Sequence, residues 1–386
     1  MTATIVVQPP LAGVKPYKSL ANEELHARIS AVRAHFGPQL LLLGHHYQQD
    51  EVVELCDLRG DSYQLSQMAA DSSACRHIAF CGVHFMAETA DILANRPEKL
   101  SEREGQRVRV MLPDLAAGCS MADMAGIEQI EDAWDQLSAV IDTERLIPVT
   151  YINSAASLKA FVGRHGGIVC TSSNAKAAID WAFSHANDGK GGDRVMFFPD
   201  QHLGRNTALG MGITNDQMPV WNPHAEELGG NTEAQLTDSK VILWRGHCSV
   251  HQMFKAEHVA LFRKNHPGIK ILVHPECPQE VFELADVSGS TGAIIKAVQA
   301  APAGTKWAIG TELHLVNRLK QEHPEQEIHF LSPVMCMCAT MYRIDLAHLC
   351  WTLENLAAGT PINTIEVDPE TSRWSLVALE RMLQVR

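Results

Sequence analysis

Apolar runs of strand length punctuate this chain, each breaking into a polar loop and followed by an amphipathic stretch. Four such runs follow one another, and the order then recurs twice. The first round is LLLGHHY (Leu41 to Tyr47), GDS (Gly60 to Ser62), FCGVHF (Phe80 to Phe85) and VMLPDLAAGC, ending at Cys119. The second is PVTYINS (Pro148 to Ser154), CTSSN (Cys170 to Asn174), FFPDQHLG (Phe197 to Gly204) and VILWRGHC, ending at Cys248. The third is ILVHPEC (Ile271 to Cys277), SGSTG (Ser288 to Gly292), AIGTELH (Ala308 to His314) and HFLSPVMCMC, ending at Cys338. Between the runs, AVRAHFG, AIDWAFSHAN, HVALFRKNHPG and AIIKAVQAA read as helices. Strand alternating with helix predicts α/β architecture, with parallel sheets whose loops gather at the strands' carboxyl ends. The recurring cysteine predicts one metal centre held by three thiolates on a pseudo-threefold axis.

Length and charge narrow the class. At 386 residues and 46% hydrophobic content, the chain can bury the cores of two or three domains. No apolar run reaches membrane-spanning length, and MTATIVVQPPLAGVKPYK lacks the basic start and apolar core of a signal peptide, so a soluble, cytoplasmic protein is expected. A formal net charge of -13 speaks against nucleic acid or an anionic membrane surface as partner, since both need clustered Lys and Arg. Small anionic substrates stay open, because local groups can hold them.

Ten cysteines in a reducing compartment imply metal binding or plain burial rather than disulfides. Cys56, Cys75, Cys81, Cys170 and Cys350 read as core residues, and Cys277, beside Glu276 in a polar loop, could be either. Cys119 and Cys248 differ in kind, each followed by Ser in a Gly-containing loop, and Cys338 takes the matching place. No zinc-finger CxxC pair or compact ferredoxin run is present. Three thiolates suit a cubane iron–sulfur cluster better than structural zinc, which usually takes four protein ligands. The fourth iron would then be open as a Lewis acid, favouring dehydration or condensation over electron transfer.

The loops supply matching chemistry. His45 and Tyr47, Tyr151 and Asn153, and His274 with Glu276 occupy one station in the three rounds and offer acids, bases and hydrogen-bonding groups. At the next station stand Ser62, Ser172, and Ser290 with Thr291, each before a helix-like segment. Such a hydroxyl is normally an N-cap, yet a helix start also binds anions. Glu88 and Glu312 are explained equally well by helix-start electrostatics.

The strings GHHYQQDEVVELCDLRGDS, FCGVHFMAETADIL, PDLAAGCSMADM, TYINSAASLKAF, VCTSSNA, PDQHLG, GHCSVH, HPECPQEV, GSTGAIIKA and FLSPVMCMCATM together resemble the quinolinate synthase family of bacterial NAD biosynthesis, in order from about Leu40 to Leu356. The resemblance implies a transferase with three αβα domains related by pseudo-threefold symmetry around a central active site. Their expected bounds are 1–118, with the C-terminal segment 339–386 packing on it, then 119–247 and 248–338. It also implies one [4Fe-4S] cluster with one open iron, ligated by Cys119, Cys248 and Cys338. Within the Cys336-Met-Cys338 pair, the family's Cys-x-x-Met fits Cys338-Ala-Thr-Met341, although Cys336 could substitute. The implied reaction joins iminoaspartate and dihydroxyacetone phosphate into quinolinate, phosphate and two waters, with functional coupling to an aspartate oxidase. Substrate-binding positions carried over are His45, Tyr47, Ser62, Tyr151, Asn153, Ser172, His251, His274, Glu276, Ser290 and Thr291. Among these Glu276 is the expected base, with His274 and Tyr47 handling or orienting protons. The stretch from about Gly210 to Lys240 departs from the family and reads as a polar insertion, a surface loop or partial lid. Rival readings are an iron–sulfur dehydratase on another small acid, a cluster-based redox or iron sensor, and a structural zinc protein.

Overall fold

Fourteen strands form three sheets in the computed structural model, which describes residues 7–71, 74–335 and 337–385. Cys336 therefore lies outside the described residues. In chain order the strands of the first sheet are β1 (Leu40–His45), β2 (Leu58–Gly60), β3 (His77–Cys81) and β4 (Arg109–Met111). Those of the second are β5 (Leu146–Tyr151), β6 (Ile168–Cys170), β7 (Arg194–Phe198), β8 (Val220–Trp221) and β9 (Val241–Trp244). The third holds β10 (Lys270–Val273), β11 (Val287–Ser288), β12 (Lys306–Gly310) and β13 (Glu327–Phe330), and β14 (Thr364–Ile365) returns to the first.

The strand orders are β14-β4-β3-β1-β2, β6-β5-β7-β9-β8 and β11-β10-β12-β13. In each sheet the first strand of a round lies between the second and third, and the fourth flanks the third. Every pairing is parallel except β14 with β4. The chain is thus α/β, with three mostly parallel sheets flanked by helices. Parallel strands covered on both faces should be continuously apolar, and all six residues of β5 are buried. The reversal of strand order falls between β1 and β3, β5 and β7, and β10 and β12. At such a switch point the loops beyond the carboxyl ends splay apart and leave a crevice, where ligands of open α/β sheets bind.

Two compact units divide the chain. The first comprises Met1–Cys119 and Cys338–Asp368 and holds the sheet of β1 to β4 with β14. Here the helix Leu346–Ala357 packs on the helix Asn22–Phe36. Glu354 secures that contact: it accepts two hydrogen bonds of 2.8 Å from Arg28 and one of 2.5 Å from the Tyr17 hydroxyl. A buried charge needs its oxygens matched in this way, since desolvation would otherwise outweigh the ion pair.

The second unit, Ser120–Met337 with Pro369–Arg386, holds both other sheets. The segment after Cys338 is thus shared between the units, dividing at Asp368. The final helix Pro369–Gln384 packs on the helix Ala156–Arg164 and on β6. Gly163 permits the approach: a Cβ there would stand 2.0 Å from the Trp374 carbonyl oxygen. Ser375 and Arg381 then donate to the carbonyls of Ala156 at 2.8 Å and Gly167 at 2.6 Å.

The insertion between about Gly210 and Lys240 differs in part from expectation. Beyond a surface loop or partial lid it contributes the two-residue β8, which extends the sheet beside β9. Its anchor is Trp221, only 2% exposed, whose ring lies against Gly229. Gly229 has φ +61°, and a Cβ there would meet the indole at 2.5 Å. Gly fits both the left-handed backbone and the close contact.

Candidate functional site

Within the second unit the carboxyl ends of β5, β9, β10 and β12 bring Tyr151, His251, His274, Glu276 and Thr311 together. Glu276 and His274 are each 2% exposed and His251 1%, so their polar atoms must find partners in the protein or in a ligand. Glu276 Oε2 lies 3.0 Å from His251 Nδ1, and His251 Nε2 lies 3.3 Å from Thr311 Oγ1. The simplest tautomer has Nδ1–H donating to Glu276 while Nε2 accepts from the threonine hydroxyl. Tyr151 donates to Glu276 as well.

Burial alone would push the Glu276 carboxyl up, but the two histidines and the hydrogen bonds from His251 and Tyr151 outweigh it and hold it at about 2. His274 responds oppositely: burial drives its imidazolium form down to about 3, so the ring is neutral. Its Nδ1 accepts the backbone N–H of Glu276 at 3.3 Å, which leaves the proton on Nε2. The His251 and His274 rings stack at 4.6 Å with an interplanar angle of 21°.

Cys248 adjoins this pair. Its sulfur and the ligand atoms of His251 and Glu276 all lie within 4.8 Å of one another. Its backbone N–H donates to Asp200 Oδ2 at 2.9 Å. Asp200 is a site residue that the sequence reading passed over. Fully buried after β7, it caps the helix Gln201–Leu209 through the N–H groups of His202 and Leu203 and fixes the cysteine loop as well. Burial, then the Glu276 charge, pushes the Asp200 carboxyl well above its ordinary range, against the pull of those three N–H groups.

Lys159 is a second omission. Entirely buried, its ammonium donates to the Ser154 carbonyl and so steadies the loop that carries Tyr151 and Asn153. Asn153 Oδ1 is buried and accepts no hydrogen bond from the protein. Such an atom suits a loop that receives a ligand.

The hydroxyl station divides by role. Ser290 caps the helix Thr291–Gln299, its Oγ accepting the Ala293 N–H at 3.4 Å, and Thr291 is the first helical residue. Before the helix Ala175–Ser184 the N-cap is Asn174, not Ser172, and Asn174 Oδ1 accepts from the Thr171 N–H at 2.7 Å. In the first unit Gln64 N–H bonds Asp61 Oδ1 at 2.9 Å, so Asp61 serves the start of the helix Ser62–Asp71. Glu312 caps the helix Leu313–Glu322, whereas Glu88 lies within a helix with His84 Nδ1 3.6 Å away.

The first unit repeats two details of the second. His45 Nδ1 accepts the Tyr47 N–H at 3.1 Å, the same contact that His274 makes two residues before Glu276. The Cys338 carbonyl accepts the Tyr342 N–H at 3.0 Å, and that of Cys248 accepts the Gln252 N–H at 2.9 Å. In each case a 3₁₀ turn begins three residues past the cysteine, at Met341 and at His251. Asp114 joins the loop before Cys119 to the segment after Cys338, accepting from Arg343 Nε at 2.8 Å.

The cysteines sort by burial. Cys75, Cys81, Cys170, Cys277 and Cys350 are buried, which assigns Cys277 to the core group, while Cys119, Cys248 and Cys338 are half-buried and Cys56 joins them. Burial raises the thiols of Cys75, Cys170, Cys277 and Cys350, that of Cys350 to about 12, while a hydrogen bond with Cys56 and then burial raise that of Cys81, which keeps all five protonated and poor ligands.

Comparison with known proteins gives consistent results. A family profile described as Quinolinate synthetase A protein matches residues 27–384. The quinolinate synthase of Rhodopirellula baltica is 73% identical over 373 residues, covering 97% of this chain and 94% of its own. That of a Nocardioides species is 54% identical over 364 residues, covering 94% and 90%. A Geobacillus counterpart is 50% identical over 367 residues, 95% of each chain.

Proposed function

From the premise that the chain belongs to the quinolinate synthase family, enzymes of NAD biosynthesis, we propose that it condenses iminoaspartate with dihydroxyacetone phosphate to give quinolinate, phosphate and two waters. The observation that carries the site assignment is a thiol, a buried carboxylate and a histidine within 4.8 Å of one another. No helix among the described residues is long and apolar enough to cross a membrane.

The family is iron–sulfur dependent, and a [4Fe-4S] cluster is proposed on Cys119, Cys248 and Cys338. Their partial exposure fits ligands better than the core thiols do, and the shared turn after Cys248 and Cys338 favours the latter over Cys336. When bound, the cluster supplies an open iron that acts as a Lewis acid toward carboxylate, ring nitrogen or hydroxyl oxygen. The three αβα repeats, 1–118, 119–247 and 248–338, remain the proposed domain plan, supported by one strand order repeated in three sheets.

Around that group the side chains divide the remaining work. Glu276, ionised and buried, is the proposed base that takes protons from iminoaspartate, and His251 behind it stabilises the carboxylate through Nδ1. His274, neutral with its proton on Nε2, is suited to donate a hydrogen bond to a substrate oxygen. Tyr47 and Tyr151 are phenols that can return a proton to a departing hydroxyl. Asn153 Oδ1 can accept from the substrate amine, and His45 orients its neighbour Tyr47, the two rings meeting edge-on at 4.7 Å. Ser62, Ser172, Ser290 and Thr291 would hold phosphate and carboxylate oxygens at helix starts, where N–H groups point outward.

An anaerobic assay with enzymatically generated iminoaspartate and dihydroxyacetone phosphate should yield quinolinate by chromatography. Its absence from a cluster-loaded preparation would reject the reaction. A second test concerns the Cys248 loop: Asp200→Ala should release iron to a chelator faster than wild type, because losing a partner behind a metal ligand costs roughly 10-fold or more in metal affinity. An unchanged release rate would remove Asp200 from that role.

A further inference from the structure

At the amino ends of β12 and β13, opposite the catalytic loops of the third sheet, lies a cluster that the reaction does not use. Glu327 and His329 are two apart on β13 and so share a face. His266 reaches the same place from the C-terminal end of the helix Ala256–Asn265. One carboxylate oxygen gathers both rings: His266 Nδ1 lies 2.9 Å and His329 Nε2 2.8 Å from Glu327 Oε1. The three ligand atoms all fall within 4.8 Å of one another.

We propose that His266, Glu327 and His329 form a second metal site, binding one divalent transition-metal ion of the zinc and cobalt class. The donor set is chemically apt: two imidazoles and a carboxylate suit borderline ions, whereas calcium and magnesium prefer oxygen alone. Bonds of about 2.0–2.1 Å to a tetrahedral ion put the ligands roughly 3.3 Å apart, so the present contacts need to open by only a few tenths of an ångström. Both rings have a usable tautomer, His266 ligating through Nδ1 and His329 through Nε2.

The surroundings hold the rings in place. Phe262 lies against both, 5.7 Å from the His266 ring and 5.8 Å from that of His329. Lys306 engages the other carboxylate oxygen, Oε2, at 3.4 Å, so the lysine and the ion need not compete for one atom. Side-chain exposures of 29%, 39% and 29% for His266, Glu327 and His329 leave room for water in the remaining coordination position. Loading would tie the end of the helix Ala256–Asn265 to β13.

The test is an anaerobic titration of the cluster-loaded full chain with cobalt(II), followed by visible absorption and equilibrium dialysis. Expected are one added cobalt per chain, ligand-field bands of nitrogen and oxygen donors, no thiolate charge-transfer band, and displacement by zinc. His266→Gln and His329→Gln should each weaken binding at least tenfold while leaving quinolinate formation unchanged. No cobalt uptake, uptake with a thiolate band, or uptake unaffected by His329→Gln would each overturn the site. Because the readout is metal binding, its failure would leave the quinolinate assignment standing, and failure of that assignment would leave the metal result intact.

Discussion

Replacing Cys248 by alanine is expected to strip the protein of its cluster: anaerobically prepared wild type should hold about four irons and matching labile sulfide per chain, and the variant close to none. Cys119→Ala and Cys338→Ala should do the same, because a cubane with three protein ligands has none to spare. Cys336→Ala should keep its iron. The argument for Cys338 is local geometry: its carbonyl and that of Cys248 accept the N–H four residues on, and both lead into a 3₁₀ turn. If Cys336→Ala loses iron while Cys338→Ala retains it, the choice within the pair is reversed. Metal analysis also tests the alternative ion, since Cys248, His251 and Glu276 together form a donor set that zinc accepts. One tightly bound zinc without labile sulfide would sink the cluster proposal.

Much of the architecture was legible in the sequence because parallel strands covered on both faces must be apolar throughout, and their runs stand out from the loops. The order of those runs repeats, and so does the strand order that they build. Contacts between distant residues were not legible. Asp200 looks like any N-cap between strand and helix, and its bond to the Cys248 N–H spans 48 residues of sequence. Lys159 lies in a helix where a lysine would be expected at the surface, yet it is entirely buried with its ammonium on the Ser154 carbonyl five residues back. The destination of the final helix was illegible too, since it depends on Gly163 offering bare backbone to Trp374. In the Gly210 to Lys240 insertion β8 was illegible because a two-residue edge strand amid polar turns leaves almost no periodicity. His266 precedes the third round whereas Glu327 and His329 lie near its end, and only the fold joins them.

Glu276→Gln is expected to keep the fold and the cluster and to lose about 100- to 10,000-fold in turnover, the usual range for removing a positioned base. The substitution nearly preserves volume and can leave an amide oxygen toward His251 Nδ1, so the hydrogen bond now at 3.0 Å has a substitute. What disappears is the charge, and with it the capacity to accept a proton in a site where no solvent reaches, Glu276 being 2% exposed. Iron content, labile sulfide and melting temperature measured beside quinolinate formation separate the two effects. Lost turnover with wild-type iron assigns Glu276 to the chemistry; lost iron as well would show that the carboxylate supports the Cys248 loop within 4.8 Å of it. Near-normal turnover would remove Glu276 from the base role and shift it to another group of the same site. Tyr151, which already donates to Glu276, would then be the first to examine, because losing the carboxylate charge would stabilise its phenolate form relative to wild type.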